Sequence, residues 1–206
     1  MKKLEQVEKP SYWAKYKYYL LTFVLALAVF GLCAYAVGLT PRMYAVEHNL
    51  LISVNGWPDK LRLFFVAITV CGSTWAVAVS VVAAFFLRLY QLAWRFALAA
   101  LTVYGLQILL KQFFERPRPE GFDPAVTVRV AETGFAFPST HAAIGAVLAV
   151  TLLPYLPRGW RWPLVVGAVV AVALSRVYLG VHAPLDVLAG VALGVGVVCF
   201  WRILPK

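Results

Sequence analysis

The sequence predicts an all-α integral membrane protein with six transmembrane helices. Three observations carry this. The 206-residue chain is 62% hydrophobic and only 14% charged, whereas a soluble domain carries about 25% charged residues. Its apolar residues gather into long runs separated by polar or Pro- and Gly-bearing segments, the pattern of helices that cross a bilayer. Its aromatic content of 15% suits anchoring by Trp and Tyr at the membrane–water boundary. Residues 1–206 read as a single transmembrane domain, with a motif-bearing core over 90–203.

The basic segment Met1 to Lys17 precedes an apolar run too long for the core of a signal peptide, so this run reads as an uncleaved first span, from about Tyr18 to Val37. Tyr12, Trp13, Tyr16, Tyr18 and Tyr19 form an aromatic belt at its start, and Pro41 ends it. Met43 to Val54 is mildly amphipathic and reads as a helix lying along the membrane surface. Asn55-Gly56-Trp57-Pro58 is a turn. The second span covers about Leu61 to Leu87, with Gly72 and Ser73 as helix-packing residues in its middle. The third covers about Tyr90 to Phe114, with Gln107 turned toward other helices rather than lipid. A polar connection, Glu115 to Pro138, follows; its length points to a functional or a disordered segment rather than simple linkage. The fourth span, about Ser139 to Leu153, is short and stops at Pro154 and Pro157. A basic turn at Arg158-Gly159-Trp160-Arg161 leads to the fifth, about Pro163 to Leu179. The sixth covers about Pro184 to Ile203, with Gly190 and Gly194 as a small-residue packing face.

Lys2, Lys3, Lys9, Lys15, Lys17, Arg88, Arg95, Arg158, Arg161, Arg202 and Lys206 fall on the side of the N-terminus; Arg42, Lys60, Arg62, Lys111, Arg116, Arg118, Arg129 and Arg176 fall on the other. The positive-inside rule therefore puts both termini in the cytoplasm. The net charge of +10 is accounted for by these flanking residues. With no separate basic soluble domain, nucleic acid is excluded as a partner. Cys33, Cys71 and Cys199 each lie in an apolar run without metal-ligand spacing and read as small apolar side chains.

Three polar clusters stand at the mouths of apolar runs, where isolated charge is costly. By parity, the end of span three, the start of span four, the end of span five and the start of span six all lie on one face. Lys111, Arg118, Ser139, His141, Arg176, His182 and Asp186 fall there. Lys111, Arg118 and Arg176 make a box for a multiply charged anion, since the guanidinium fork matches phosphate and Lys adds a point charge. Ser139 is suited to cap span four, where free N–H groups and the helix dipole favour an anion. Asp186 lies in the first turn of span six and can reach back four residues to orient the His182 imidazole. His48 has no such partners and reads as an interfacial residue. No His, Cys and carboxylate cluster has the spacing of a metal site.

These segments resemble the three signatures of the type 2 phosphatidic acid phosphatase superfamily. Lys111, six residues, then Arg118-Pro119 resembles the first. Pro138-Ser139-Thr140-His141 resembles the second, with Thr140 in place of the usual Gly. Ser175-Arg176, five residues, His182, three residues, Asp186 resembles the third. The stretch from Trp57 to Ser73 is also similar to the family's second helix. The resemblance implies a metal-independent phosphatase of lipid phosphates or diphosphates, with no cofactor. His182 would be the nucleophile, forming a phosphohistidine; Asp186 would hold its tautomer; His141 would protonate the leaving oxygen and then activate water. Lys111, Arg118, Ser139, Thr140, Arg176 and the first N–H groups of span four would bind the phosphoryl oxygens. If position 140 needs φ > 0, Thr is a poor fit; if it is an ordinary first helical turn, Thr is accommodated.

The implied partners are the bilayer and a phospholipid or polyprenyl phosphate: undecaprenyl diphosphate first, then phosphatidylglycerol phosphate and phosphatidate. The implied setting is a plasma or inner membrane crossed several times, with the site on the extracytoplasmic face. A phosphotransferase could use the same site. A non-hydrolytic phospholipid binder or transporter would need the cations but not two histidines. The sequence leaves the oligomeric state open.

Overall fold

The structure is a computed structural model that describes residues 12–40 and 43–204. Lys2, Lys3, Lys9, Pro41, Arg42 and Lys206 lie outside the described residues, as do the side chains of Tyr12, Trp13 and Lys15. The described chain is helical, in the order α1 (Tyr12–Leu39), α2 (Ala45–Asn55), α3 (Arg62–Val70), α4 (Thr74–Phe86), α5 (Tyr90–Phe114), α6 (Thr140–Leu152), α7 (Arg161–Tyr178) and α8 (Pro184–Ile203). Short 3-10 turns occur at Asp59–Leu61, Pro119–Gly121 and Leu153–Tyr155.

Four of these helices, α1, α5, α7 and α8, are long and apolar enough to cross a membrane. Leu25 and Leu32 on α1, Trp75 and Phe86 on α4, and Leu101 and Phe113 on α5 are exposed. Helices satisfy their own backbone and can present such a surface only to lipid. The chain is a multi-pass integral membrane protein.

The second predicted span is not one rod. It divides into α3 and α4, which meet at a 48° bend and together could make a fifth crossing. The break falls at Cys71–Ser73, where Ser73 caps α4 by accepting a hydrogen bond from the Ala76 N–H at 3.3 Å. Gly72 packs as expected: a Cβ there would collide with the His141 carbonyl. The fourth predicted span is α6, whose 13 residues cover only ~20 Å at the α-helical rise against a hydrocarbon core of about 30 Å. Six full-length spans are thus an expectation that four or five helices meet by length and composition.

α6 forms the centre. Ala142, Ala143, Ile144, Gly145, Ala146 and Val147 are all buried, and α4, α5, α7 and α8 pack around them. The small side chains let neighbours approach closely. Gly190 of α8 lies against the Ser139 carbonyl and Gly194 against that of Ala143, with no room for a Cβ at either. α1 runs along the outside of α8.

α2 departs from the expected surface helix. Glu47, Leu51 and Asn55 are buried at four-residue intervals, one face of a helix, and that face packs on α7 and α8. Its polar residues are partnered. Asn55 donates to the carbonyls of Thr127 (2.9 Å) and Tyr178 (3.0 Å) and accepts from the Thr127 N–H (2.9 Å). His48, expected to stand alone, pairs with Asp123 of the long connection at 2.8 Å. α2 is a strut that fastens the 115–139 connection to the bundle.

Candidate active site

The end of α5, the start of α6, the turn between α7 and α8, and the 115–139 connection line one cavity of about 480 Å³. Lys111, Arg118, Glu132, Thr140, His141 and His182 line it.

His182 is delivered by the turn between α7 and α8. Gly180, at φ +75°, closes α7, and the Val181 N–H bonds back to the Arg176 carbonyl at 3.3 Å; this left-handed cap is open to Gly without strain. Pro184 then starts α8, its fixed φ suited to a first helical position. Asp186, one turn in, accepts the Ala183 N–H at 2.8 Å through Oδ2 and so caps its own helix. Oδ2 lies 3.7 Å from His182 Nδ1, beyond hydrogen-bond distance, and Nδ1 is buried without a partner. The predicted orienting pair is therefore aligned but not closed. The opposite ring nitrogen, Nε2, faces Glu132 Oε2 at 3.8 Å. Burial pushes the His182 imidazole down to about 4, Arg176 and Lys111 acting the same way and Asp186 against them. The ring is neutral at physiological pH, the state a nucleophile requires.

α6 presents Thr140 and His141 in its first turn, where a helix leaves N–H groups unsatisfied and favours anions. Thr140 is not among the positive-φ residues of the described chain. The departure from Gly is therefore accommodated, and the Thr140 hydroxyl donates to Gln107 at 3.2 Å. Gln107 is buried, as expected of a residue facing other helices. Ser139 holds the N-cap position, but its hydroxyl caps nothing. It is buried without a partner and is not part of the cavity wall.

The cations divide into two groups. Arg176 is 1% exposed and pinned by a 2.8 Å bond to Thr69 of α3; its Nε is buried without a partner. Lys111 and Arg118 fold the connection over the site. Lys111 donates to Phe135 O at 2.5 Å, and Arg118 to the carbonyls of Gly134 (3.0 Å), Val181 (2.8 Å) and Thr133 (2.9 Å).

Three acidic or basic partners escaped the sequence reading. Glu132 bonds Arg176 directly, ion-pairs Arg118 at 3.1 Å, and lies 3.9 Å from His141 Nδ1. Against the raising effect of burial, Arg176 holds its carboxyl down at about 2, so it is ionised. Behind the site, Arg116 donates to Asp186 Oδ1 at 2.6 Å and to Glu47 Oε2 at 2.8 Å, and all three are buried. Glu47 Oε1 also accepts the Leu185 N–H at 3.1 Å. One signal was available: the chain has only nine acidic residues, and an acid in an apolar chain is usually committed to a cation. Among the described residues no group of three or more His, Cys, Asp or Glu could hold a metal ion.

The sequence pattern of the PAP2 superfamily matches residues 92–206. The chain is similar to the undecaprenyl-diphosphatase of Sulfolobus acidocaldarius, 46% identical over 78 residues, which is 37% of each chain. It is similar to phosphatidylglycerophosphatase B of Bacillus subtilis, 39% identical over 118 residues, covering 51% of this chain and 55% of that one. The matches thus span between about a third and just over half of those relatives' length. The fold is similar to the crystal structure of the transmembrane PAP2-type phosphatidylglycerolphosphate phosphatase of Bacillus subtilis, with a TM-score of 0.71 at 26% identity over 88% of this chain and 94% of that one.

Proposed function

The chain belongs to the PAP2 superfamily, and from that premise we propose that it is a metal-independent phosphatase of membrane lipid phosphates or diphosphates working through a phosphohistidine at His182. The observation that carries the reading is the placement of Glu132. A single carboxylate is bonded to Arg176 and Arg118 and lies 3.9 and 3.8 Å from His141 and His182. That position suits a phosphoryl group between a nucleophile, a proton donor and fixed cations, and phosphoryl transfer is mostly positioning and charge stabilisation.

In the first step His182 Nε2 bonds to phosphorus, the phosphorus–oxygen bond to the lipid breaks, and His141 gives its proton to the leaving oxygen. The ring becomes positive, with Nδ1–H directed at Asp186, and closing their 3.7 Å gap to a hydrogen bond stabilises that charge. In the second step water attacks phosphorus, His141 takes its proton, the nitrogen–phosphorus bond breaks, and inorganic phosphate leaves. Arg176, Lys111, Arg118 and the first N–H groups of α6 hold the phosphoryl oxygens. The Nε of Arg176, buried without a partner, is a further donor for an oxygen-rich ligand.

The candidate substrates are undecaprenyl diphosphate first, then phosphatidylglycerol phosphate and phosphatidate; the first two are supported by the names of two relatives, an undecaprenyl-diphosphatase and a phosphatidylglycerophosphatase. α6 and the bent α3–α4 pair complete a six-span path, with both termini cytoplasmic and the site outside. Several cations on the outer side have other duties, as with Arg116 on Asp186 and Glu47 and Arg129 on Asp59, so the basic bias toward the cytoplasmic side is stronger than the bare count. Purified protein should release phosphate from at least one of these three lipids, and chelator should not stop it. No release from any of them, or loss in chelator restored by a divalent ion, would contradict the reading.

A further inference from the structure

Glu132 occupies the position that the substrate phosphate needs. Its Oε1 bonds Arg176 and lies 3.9 Å from His141; its Oε2 pairs with Arg118 at 3.1 Å and lies 3.8 Å from His182. The two carboxylate oxygens thus contact the groups that would hold two phosphoryl oxygens. The rest of the site cannot adapt around it, because Arg176 is pinned by Thr69 and 1% exposed. Glu132 can move: its side chain is 22% exposed, it stands on the cavity wall, and the connection turns two residues later at Gly134, φ +77°, into open space.

We infer that Glu132 is a tethered carboxylate that competes for the phosphate site and weakens every phosphate ligand by a similar factor, so that only a group carrying close to two negative charges binds strongly enough to displace it. This rests on the proposed phosphatase reading of the site. A carboxylate held on the same chain faces its cations at a high effective concentration. A phosphodiester headgroup brings one negative charge, the same as Glu132, and must in addition be immobilised from the membrane. A terminal phosphate or diphosphate brings roughly −1.5 to −2 at neutral pH and three strong acceptor oxygens. It can satisfy both guanidinium groups and still offer an oxygen to His141. Phosphodiesters are the bulk of a phospholipid surface, so a competitor of this strength keeps the site from filling with lipids it cannot cleave. When the site is empty of substrate, the same carboxylate supplies the counter-charge that Arg176 and Arg118, otherwise bonded only to neutral groups, would lack.

The test uses the full-length protein with Glu132 native, Glu132→Gln and Glu132→Asp. Hydrolysis of phosphatidate is measured in detergent micelles with increasing phosphatidylglycerol, a phosphodiester, or inorganic phosphate as competitor. Native protein should be inhibited by phosphate far better than by phosphatidylglycerol. Glu132→Gln should lower the inhibition constant for phosphatidylglycerol at least tenfold and lower KM for phosphatidate by more than it changes kcat. Glu132→Asp, one methylene shorter and still charged, should fall between. Binding of inorganic phosphate to His182→Ala protein with and without Glu132→Gln gives the same comparison without turnover, and should tighten at least tenfold. An unchanged phosphatidylglycerol constant, or a collapse of kcat with KM constant, overturns the inference while leaving the phosphatase reading intact. Absence of hydrolysis by native protein on every lipid phosphate overturns the phosphatase reading instead.

Discussion

Asp186 is held from three sides before any substrate arrives: by its own helix at Ala183, by Arg116, and through Arg116 by Glu47 of α2. The arrangement fixes the carboxylate that lies 3.7 Å from His182 Nδ1, and Arg116 is the cation that holds it. Replacing Arg116 with Met would leave two carboxylates facing each other in the interior. Breaking a buried pair from one side costs about 3–5 kcal/mol. Arg116→Met should lower the unfolding free energy in detergent by that order, whereas Glu47→Gln, which keeps the Arg116–Asp186 pair, should lose much less. Equal, small losses would show that Arg116 is not what holds Asp186. That His141, His182, Lys111, Arg118, Arg176 and Asp186 gather at one end of the bundle was legible in the sequence, because each falls near the end of an apolar run on the same face; the pairing of His48 with Asp123 was not. Glu132, Glu47 and Arg116 were not. The Glu132–Arg176, Arg116–Asp186 and Arg116–Glu47 pairs join residues 44, 70 and 69 apart, and no local pattern records a pairing that exists only once α2 and the connection are folded onto the bundle.

At the scale of elements, the start of α6 sets the geometry, since it carries Ser139, Thr140 and His141 between Gly72 on one side and Gly190 on the other. Gly190→Ala would drive a methyl into the Ser139 carbonyl and push this turn out of place. Overpacking of this kind costs about 1–3 kcal/mol, and activity should fall more than stability, since the displaced turn carries His141. Gly167→Ala in α7, where nothing lies within 4 Å of the added carbon, should be neutral or gain roughly 0.5–1 kcal/mol from helix propensity. Thermal unfolding and phosphate release measured on both variants check this; equal effects would contradict it. α5 and α8 have the bounds that hydropathy and flanking residues predict, Tyr90–Phe114 and Pro184–Ile203. The break between α3 and α4 was missed, since both halves are apolar and hydropathy averages across it. Gly72-Ser73 signalled packing, and Ser73 turned out also to be a cap.

For the whole molecule, the proposed six crossings and cytoplasmic N-terminus would put Arg158 and Glu120 on opposite sides. Cysteines introduced at these positions should label from opposite sides with an impermeant thiol reagent, and labelling of both from one side would contradict the path. The bundle matters because it brings His141 at the start of α6 and His182 in the turn before α8 to one cavity, where the proposed reaction would act on a lipid's phosphate. The histidines are not equivalent: His182 has Asp186 behind it, and His141 stands at a helix N-terminus, whose positive end makes it the readier proton donor. The most direct measurement is acid-labile label on the protein after brief exposure to a radiolabelled lipid phosphate. Native protein should carry it, and His182→Ala should not. His141→Ala should still take up label from a substrate with a good leaving group and lose it slowly, because the attacking water has no base. Label that persists on His182→Ala protein would contradict the assignment of the nucleophile.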